Sequence, residues 1–308
     1  MGTGPYNLQP SSFCTASTID TLVSVSQSDA AVWGVFMAKE LILLEIENKV
    51  AVLKLNRPTV LNALNLEMWK ILDSSLSELE QLGDEVRAVI ITGVGERAFC
   101  AGLDLSPDNP IVWDLLSQAN HDRRAQIADE LNWLRDTFNR LADLPMPTIA
   151  ALNGLAYGSG LELAMCCDVR IATENIQLCL PEVSVGVIPD KGGTQRLPRL
   201  IGLARAKEMI LTGLPVTSEE GVRIGLVNRV VPADQLMNVA VEYAHRIAQM
   251  SPLAIRAAKQ ALNQTQSLLL ADGFRFENRM ALEAILSEDL AEGIRAFQEK
   301  RPPVFRGV

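Results

Sequence analysis

The stretch Ala151–Asp168, ALNGLAYGSGLELAMCCD, constrains this chain more than any other. An apolar strand ends at Leu152, a glycine-rich loop follows, and an apolar helix starts near Gly160. Glu162 falls in that helix's first turn, among Leu161, Leu163, Ala164 and Met165. A carboxylate in such company is costly unless it is paired, hydrogen-bonded or protonated. Glycines let the backbone approach a ligand closely, and a helix start offers free N–H groups to an anion. Together these features read as an active site. The plainer alternative is a strand–turn–helix whose Glu caps its own helix.

Several chemistries fail at these residues. A dinucleotide fingerprint would need a glycine where Leu163 stands, and a phosphate loop would need G-K-[ST]. A nucleophile elbow around Ser159 would need glycines at Tyr157 and Leu161. His121 and His245 are the only histidines, both on polar helical stretches, so zinc sites and histidine triads are poor fits and no metal is expected. Carboxylate chemistry remains. The second acid is Glu182 in LCLPEVSVGVIP, after a strand and a proline, again with apolar neighbours. Two carboxyls in apolar surroundings can have raised and separated pKa values, which suits acid–base work near neutral pH. A loop acid paired to an arginine is the competing reading of Glu182.

The 308 residues can bury a large core in one domain or two. A net charge of −9 argues against a nucleic-acid partner, and no apolar run approaches the roughly 20 residues of a membrane span. The five cysteines (Cys14, Cys100, Cys166, Cys167, Cys179) have no C-x-x-C spacing and mostly lie in apolar runs, which suggests reduced, buried thiols in a cytoplasmic protein. Met1–Phe36 is rich in Ser and Thr, has no Lys or Arg, and fits neither a secretory nor a transit signal. Residues 1–36 are expected to be a flexible leader extraneous to the fold, with Met37 the functional start.

Beyond the leader, periodicity predicts strands at Leu41–Glu47, Val50–Asn56, Val86–Thr92, Thr148–Leu152, Val169–Ala172, Gln177–Leu180 and Leu226–Val231. Helices are expected at Leu66–Leu82, Asn109–Asn120, Arg123–Leu141 and Ala204–Leu211, with a loop at Pro181–Asp190. From Ala233 onward helices follow one another, with breaks near Ser251–Pro252 and Ala271–Gly273. The pattern is an α/β core over 37–232 followed by a helical region over 233–308.

Six blocks, in order from about Leu41 to Phe305, resemble the crotonase (enoyl-CoA hydratase/isomerase) superfamily. They are NRPTVLNALN (Asn56–Asn65), AFCAGLDL (Ala98–Leu105), ALNGLAYGSGLELAMCCDVRIA (Ala151–Ala172), PEVSVGVIPDKGGTQRLPRLIG (Pro181–Gly202), GLVNRVVP (Gly225–Pro232) and AFQEKRPPVF (Ala296–Phe305). The resemblance implies a crotonase-like (ClpP/crotonase) spiral of ββα units with a C-terminal helical trimerisation region, usually a dimer of trimers. It implies an acyl-CoA thioester substrate, coenzyme A being part of the substrate rather than a separate cofactor. An oxyanion hole would come from the backbone N–H groups of Leu103 and Ser159. Because the donor is main-chain, Ser159 should serve where a glycine is commoner. Glu162 and Glu182 match the pair that holds and activates water in the hydratases. Arg57, Ala63, Ala101, Gly102, Asp104, Leu105, Gly158, Phe297 and Lys300 fall at positions implied to bind the CoA or acyl portion. Thr59 stands where many relatives have a lysine. Ser106–Leu144 is implied to wall the acyl pocket, with Ile111, Trp113, Leu115 and Leu116 as lining.

Hydration across the 2,3 double bond is the expected reaction. The alternative is an enoyl-CoA or dienoyl-CoA isomerase using Glu182 and Asp190. Asp190, the AGLDL wording and the long Ser106–Leu144 segment resemble the dienoyl isomerase branch, but that branch has Asp where Glu162 stands. A non-catalytic scaffold or RNA binder would be signalled by loss of a glutamate, and a Clp-like protease by a serine–histidine pair; neither signal is present.

Overall fold

The computed structural model describes residues 36–39, 41–112 and 124–308. Strand β1 (Phe36–Lys39) pairs antiparallel with β2 (Ile42–Glu47), so the first strand begins one residue before Met37. β2 turns into β3 (Val50–Leu55) through Asn48 and Lys49, both at positive φ. Two left-handed residues give the tight hairpin whose twist matches its strands. β4 (Ala88–Gly93), β6 (Thr148–Leu152), β8 (Val169–Thr173) and β11 (Arg229–Val231) extend the sheet from β3 in parallel, in the order β1-β2-β3-β4-β6-β8-β11. β4 and β6 are buried along their whole length, as continuous apolar runs require of central parallel strands.

A second, smaller sheet runs β10 (Val216–Thr217), β9 (Gln177–Cys179), β7 (Leu155–Tyr157), β5 (Ala98–Cys100), parallel except for β10. Helix α1 (Leu66–Leu82) starts at Asn65, whose side chain accepts the Met68 N–H at 3.0 Å. It buries Met68, Trp69, Leu72, Leu76 and Leu79, and Trp69 stacks on Phe138 of α2 (Arg124–Asp143) with ring centroids 4.5 Å apart. Helix α3 (Ser159–Cys166), every residue of which is buried, packs on β7 and β5 of the small sheet. Then come α4 (Gly193–Ile201), α5 (Leu203–Thr212) and α6 (Ser218–Ile224). The capping pattern Thr217-Ser-Glu-Glu announces α6: Thr217 accepts the Glu220 N–H at 3.2 Å.

The opposite face of the large sheet is covered by α7 (Leu236–Ala248), which sets Ala240, Ala244 and Ala248 on Val50, Val52, Ala88, Ile90 and Ile149. The chain closes with α8 (Pro252–Gln264), α9 (Leu270–Ile285) and α10 (Glu288–Glu299). The break expected at Ala271–Gly273 is not there. The helices part over residues 265–269, and Gly273 sits in the first turn of α9, donating to Leu269 O at 2.8 Å. A helical glycine costs only about 1 kcal/mol, which packing of α9 on α8 offsets. This helical region is bolted to the core by Lys259, whose Nζ reaches Asp168 Oδ2 at 2.8 Å and Met146 O at 3.1 Å. Arg87 adds bonds to Ala248 O and Phe305 O.

Among the described residues no helix is long and apolar enough to cross a membrane. Cys100, Cys166, Cys167 and Cys179 are free and buried, and burial pushes the Cys100 and Cys166 thiols up to about 12. Cys14, His121, Trp113, Leu115, Leu116, most of the Asn109–Asn120 helix and the leader up to residue 35 lie outside the described residues.

Candidate active site

Two segments meet where the small sheet faces α3. The first follows β5: Ala101, Gly102, Leu103, Asp104. Leu64 bridges it strand-fashion, donating to Gly102 O at 2.7 Å while accepting from Asp104 N at 3.0 Å. In such a bridge Leu103 turns its own N–H away from Leu64. The second segment is Gly158–Ser159 at the start of α3. Ser159 is the first helical residue, so its N–H has no carbonyl in the helix to reach. Neither N–H finds an acceptor among the described residues. The segments touch: a Cβ on Gly102 would lie 2.7 Å from Tyr157 O and 3.3 Å from Ser159 N, and Gly102 has φ +96°. Only glycine is at ease there. Gly160 is equally constrained, since a Cβ would come within 2.1 Å of Cys100 O. Ser159 is not at positive φ, so a serine fits without strain.

The loop before the first segment is built to hold it. Asn62, fully buried, accepts the Arg57 N–H at 2.9 Å and donates to Val94 O at 3.1 Å and Ala98 O at 2.9 Å. Ala101 N donates to Leu61 O at 2.9 Å. Arg57 Nη1 reaches Ala63 O at 2.7 Å and Asp104 Oδ2 at 2.8 Å. The Asp104 carboxyl sits below the usual carboxylate range: burial would raise it, but the Ser106 N–H and Arg57 outweigh that. Arg57, Ala63, Ala101, Gly102 and Asp104 are thus brought together, with Arg57 committed at one end to the protein itself. Leu105 beside them is 59% exposed.

Glu162, on α3, is 1% exposed. Its Oε1 accepts the backbone N–H of Lys191 at 2.9 Å and of Gly193 at 2.8 Å. The glutamate is therefore no cap for its own helix; it holds the loop leading into α4. Burial pushes its carboxyl up to about 7, against the pull of the Gly193 N–H and of Lys191, while Glu182 and Asp190 push the same way as burial. Glu182 opens the 3-10 turn Glu182–Val185, after Pro181. Among the described residues it forms no ion pair with an arginine. Both of its carboxyl oxygens are out of solvent and without a hydrogen-bond partner among the described residues. A Cβ on Gly158 would lie 3.2 Å from Glu182 Oε1, which sets this acid beside the start of α3. Burial pushes Glu182 up to about 7 as well, with the pull of its own backbone N–H and of Lys191 opposing and Asp190 adding.

Asp190 reaches both glutamates through its charge, but its Oδ1 lies 2.5 Å from Lys191 Nζ. Lys191 was not among the residues singled out from the sequence. The signal was available: a lysine inside an apolar and glycine-rich loop, next to an acid. Among the described residues no hydrogen bond or ion pair brings Phe297 and Lys300 to this place; both are exposed on or just after α10, Phe297 to 85%. Ile111 is buried in the main core. Among the described residues no group of three or more His, Cys, Asp or Glu side chains could hold a metal ion.

This chain is similar to known proteins over most of its length. A family model described as enoyl-CoA hydratase/isomerase matches residues 45–308. A short-chain-enoyl-CoA hydratase of Clostridium acetobutylicum is 41% identical over 84% of this chain and 95% of its own. A 2,3-dehydroadipyl-CoA hydratase of Escherichia coli is 39% identical over 85% of this chain and 96% of its own. Among solved structures, an enoyl-CoA hydratase from Bacillus anthracis superposes with a TM-score of 0.80 at 38% identity, covering 87% of this chain and 100% of that one.

Proposed function

The chain belongs to the enoyl-CoA hydratase/isomerase family, and from that premise we propose that it adds water across the 2,3 double bond of an acyl-CoA thioester. One observation carries this reading: two carboxyls, each raised to about 7, stand near a pair of backbone N–H groups that find no acceptor among the described residues. The thioester oxygen is received by the N–H groups of Leu103 and Ser159. Charge develops on that oxygen as the enolate forms, and preorganised donors there contribute about 3 kcal/mol each.

The two acids divide the proton work by their surroundings. Two backbone N–H bonds favour the ionised form of Glu162, so Glu162 takes the proton of the attacking water. Glu182, with no partner on either oxygen, is the better proton holder and protonates C2. Water oxygen bonds C3, the C2–C3 π electrons move through the enolate to C2, and one proton passes from water to enzyme while another passes from enzyme to product. The reaction is balanced with no separate cofactor.

The isomerase reading has Asp190 in its favour, because it lies in the same cluster; its pairing with Lys191 counts against it. For the CoA portion we assign Arg57, Ala63, Ala101, Asp104, Leu105 and Gly158 from the same chain. Phe297 and Lys300 are assigned to a neighbouring copy in a homotrimer or dimer of trimers. Exposed apolar residues on α9 and α10, such as Phe274, Ile285 and Ile294, support such an assembly. Buried free thiols suit a reducing, cytoplasmic setting.

The test is to incubate the protein with crotonyl-CoA and longer 2-enoyl-CoAs, following the conjugated thioester absorbance and product mass. Gain of one water is the expected result. No mass change, with a 3,5-dienoyl-CoA converted to its 2,4-isomer, would replace it with the isomerase reading.

A further inference from the structure

The loop Asp190–Lys191 adds two charges to a site that already holds two acids. Lys191 has a side chain only 6% exposed, and its ammonium lies 2.5 Å from Asp190 Oδ1. Its backbone N–H is one of the two that hold Glu162. The same residue therefore fixes one glutamate through its main chain and faces an acid through its side chain. A buried ammonium is costly unless paired, and a buried carboxyl beside two partly buried ones is costly unless their charge is offset.

We propose that Asp190 and Lys191 form a charge-balancing positioning unit beside the two glutamates, in which the Lys191 ammonium holds the Asp190 carboxylate while the Lys191 main-chain N–H holds Glu162. The proposal deepens the hydratase reading and rests on it only for its catalytic consequence.

The charged groups around Lys191 are few. From α3 comes Glu162, from the 3-10 turn Glu182, and from its own loop Asp190. From α4 comes Arg196, whose Nη1 donates to Lys191 O at 3.1 Å and whose Nη2 donates to Asn139 of α2 at 2.7 Å. The thiols of Cys166, near Glu162, and Cys179, near Glu182, are pushed up to about 12 and about 11, so they stay neutral. The Lys191 charge pulls on both glutamates, and Asp190 acts on both in the opposite sense. Removing the lysine leaves Asp190 uncompensated, so both glutamates should hold protons more tightly. Removing the aspartate leaves the ammonium unopposed and should do the reverse. Removing both should nearly cancel.

The experiment is a carboxyl titration by carbon-13 NMR on glutamate-labelled protein, with Glu162→Gln and Glu182→Gln used to identify the two signals. It is run on the wild type, Lys191→Met, Asp190→Asn and the double variant, with pH profiles of turnover measured alongside. Expected are midpoints moved to higher pH by about one unit in Lys191→Met, to lower pH in Asp190→Asn, and back near wild type in the double variant. The limbs of the turnover profile should move with them. Midpoints that stay put in folded Asp190→Asn, or a double variant displaced as far as Lys191→Met, would overturn the proposal. A purely structural role would lower activity at every pH without moving the midpoints. Should Lys191→Met fail to fold, Asp190→Asn alone decides by the direction of its shift. The titration is independent of the reaction catalysed, so a wild type that adds no water would defeat the hydratase reading and leave this measurement valid.

Discussion

The two glutamates live in contrasting regions of one site. Glu162 stands on a helix with no exposed residue, and the scaffold has already filled its Oε1 with two backbone N–H bonds. Glu182 opens a short turn that runs into exposed apolar residues, Val183, Val185, Val187 and Ile188, and nothing in the described protein bonds its oxygens. Burial lifts both to about 7, yet one acid is spoken for and the other is held in reserve. The contrast teaches how a fold makes two carboxyls inequivalent without different residue types. One is part of the architecture and orients the loop into α4; the other has its polar atoms hidden and unsatisfied, a cost that bound substrate and water can relieve.

The sharpest way to break the contrast is Glu182→Gln. An amide cannot pass a proton to C2, so turnover should fall by about 1000-fold or more, while the Tm near neutral pH should hold or rise, because no protein bond is lost and the amide carries no raised carboxyl. Single-turnover rates and a melting curve check both halves. Next comes Glu162→Gln, which keeps an oxygen able to accept from Lys191 and Gly193. Hydration should fall by about 100-fold while the fold persists. Near-normal turnover in this variant would sink the two-glutamate mechanism.

The same variant has a stability signature of known sign. Glu162 has an ordinary value of 4.5 when the chain is unfolded and about 7 when folded. Between those values the folded state keeps a proton that the unfolded state has released. Stability from this group is therefore fully present below about 4.5, falls as pH rises through the window, and is flat above about 7. The loss approaches about 3 kcal/mol. Glu162→Gln does not titrate, so it should gain on the wild type by up to that amount between pH 5 and pH 8 in denaturant unfolding. A constant difference across that range would show that the acid is not held near neutrality.

Much of this was legible in the sequence, and the exceptions share a cause. Burial of β4 and β6 followed from unbroken apolar runs, and α1 from its spacing. The family followed from the order of six blocks. Local patterns carry such information because each element's own residues decide it. The partner of Glu162 could not be read that way, because it is the backbone of Lys191 and Gly193, and main-chain donors leave no residue signature. The resemblance implies that Arg57 binds the CoA or acyl portion, yet a residue 47 positions away in the chain competes for it. The helix break was misplaced because Gly273 signals a stop locally while α8 supplies the packing that carries α9 through it.

Arg57 gives the smallest expected effect and the finest test, since it can brace or bind. Its Nη1 bridges Ala63 O and Asp104, and Asp104 ends the segment that carries the Leu103 N–H. If bracing is its work, Arg57→Met leaves a largely buried Asp104 with the Ser106 N–H but without its cation, at a cost of about 1–2 kcal/mol. The looser segment then aims the Leu103 donor less well, and kcat should drop by about 10-fold with KM nearly unchanged. If binding CoA is its work, KM should rise instead, and kcat should hold. Asp104→Asn separates the two further. It weakens the brace but frees Arg57 for phosphate, so bracing predicts a lower kcat and binding predicts a KM no higher than wild type. The geometry favours the brace, because Arg57 already has a carboxylate and a carbonyl on one nitrogen before any ligand arrives.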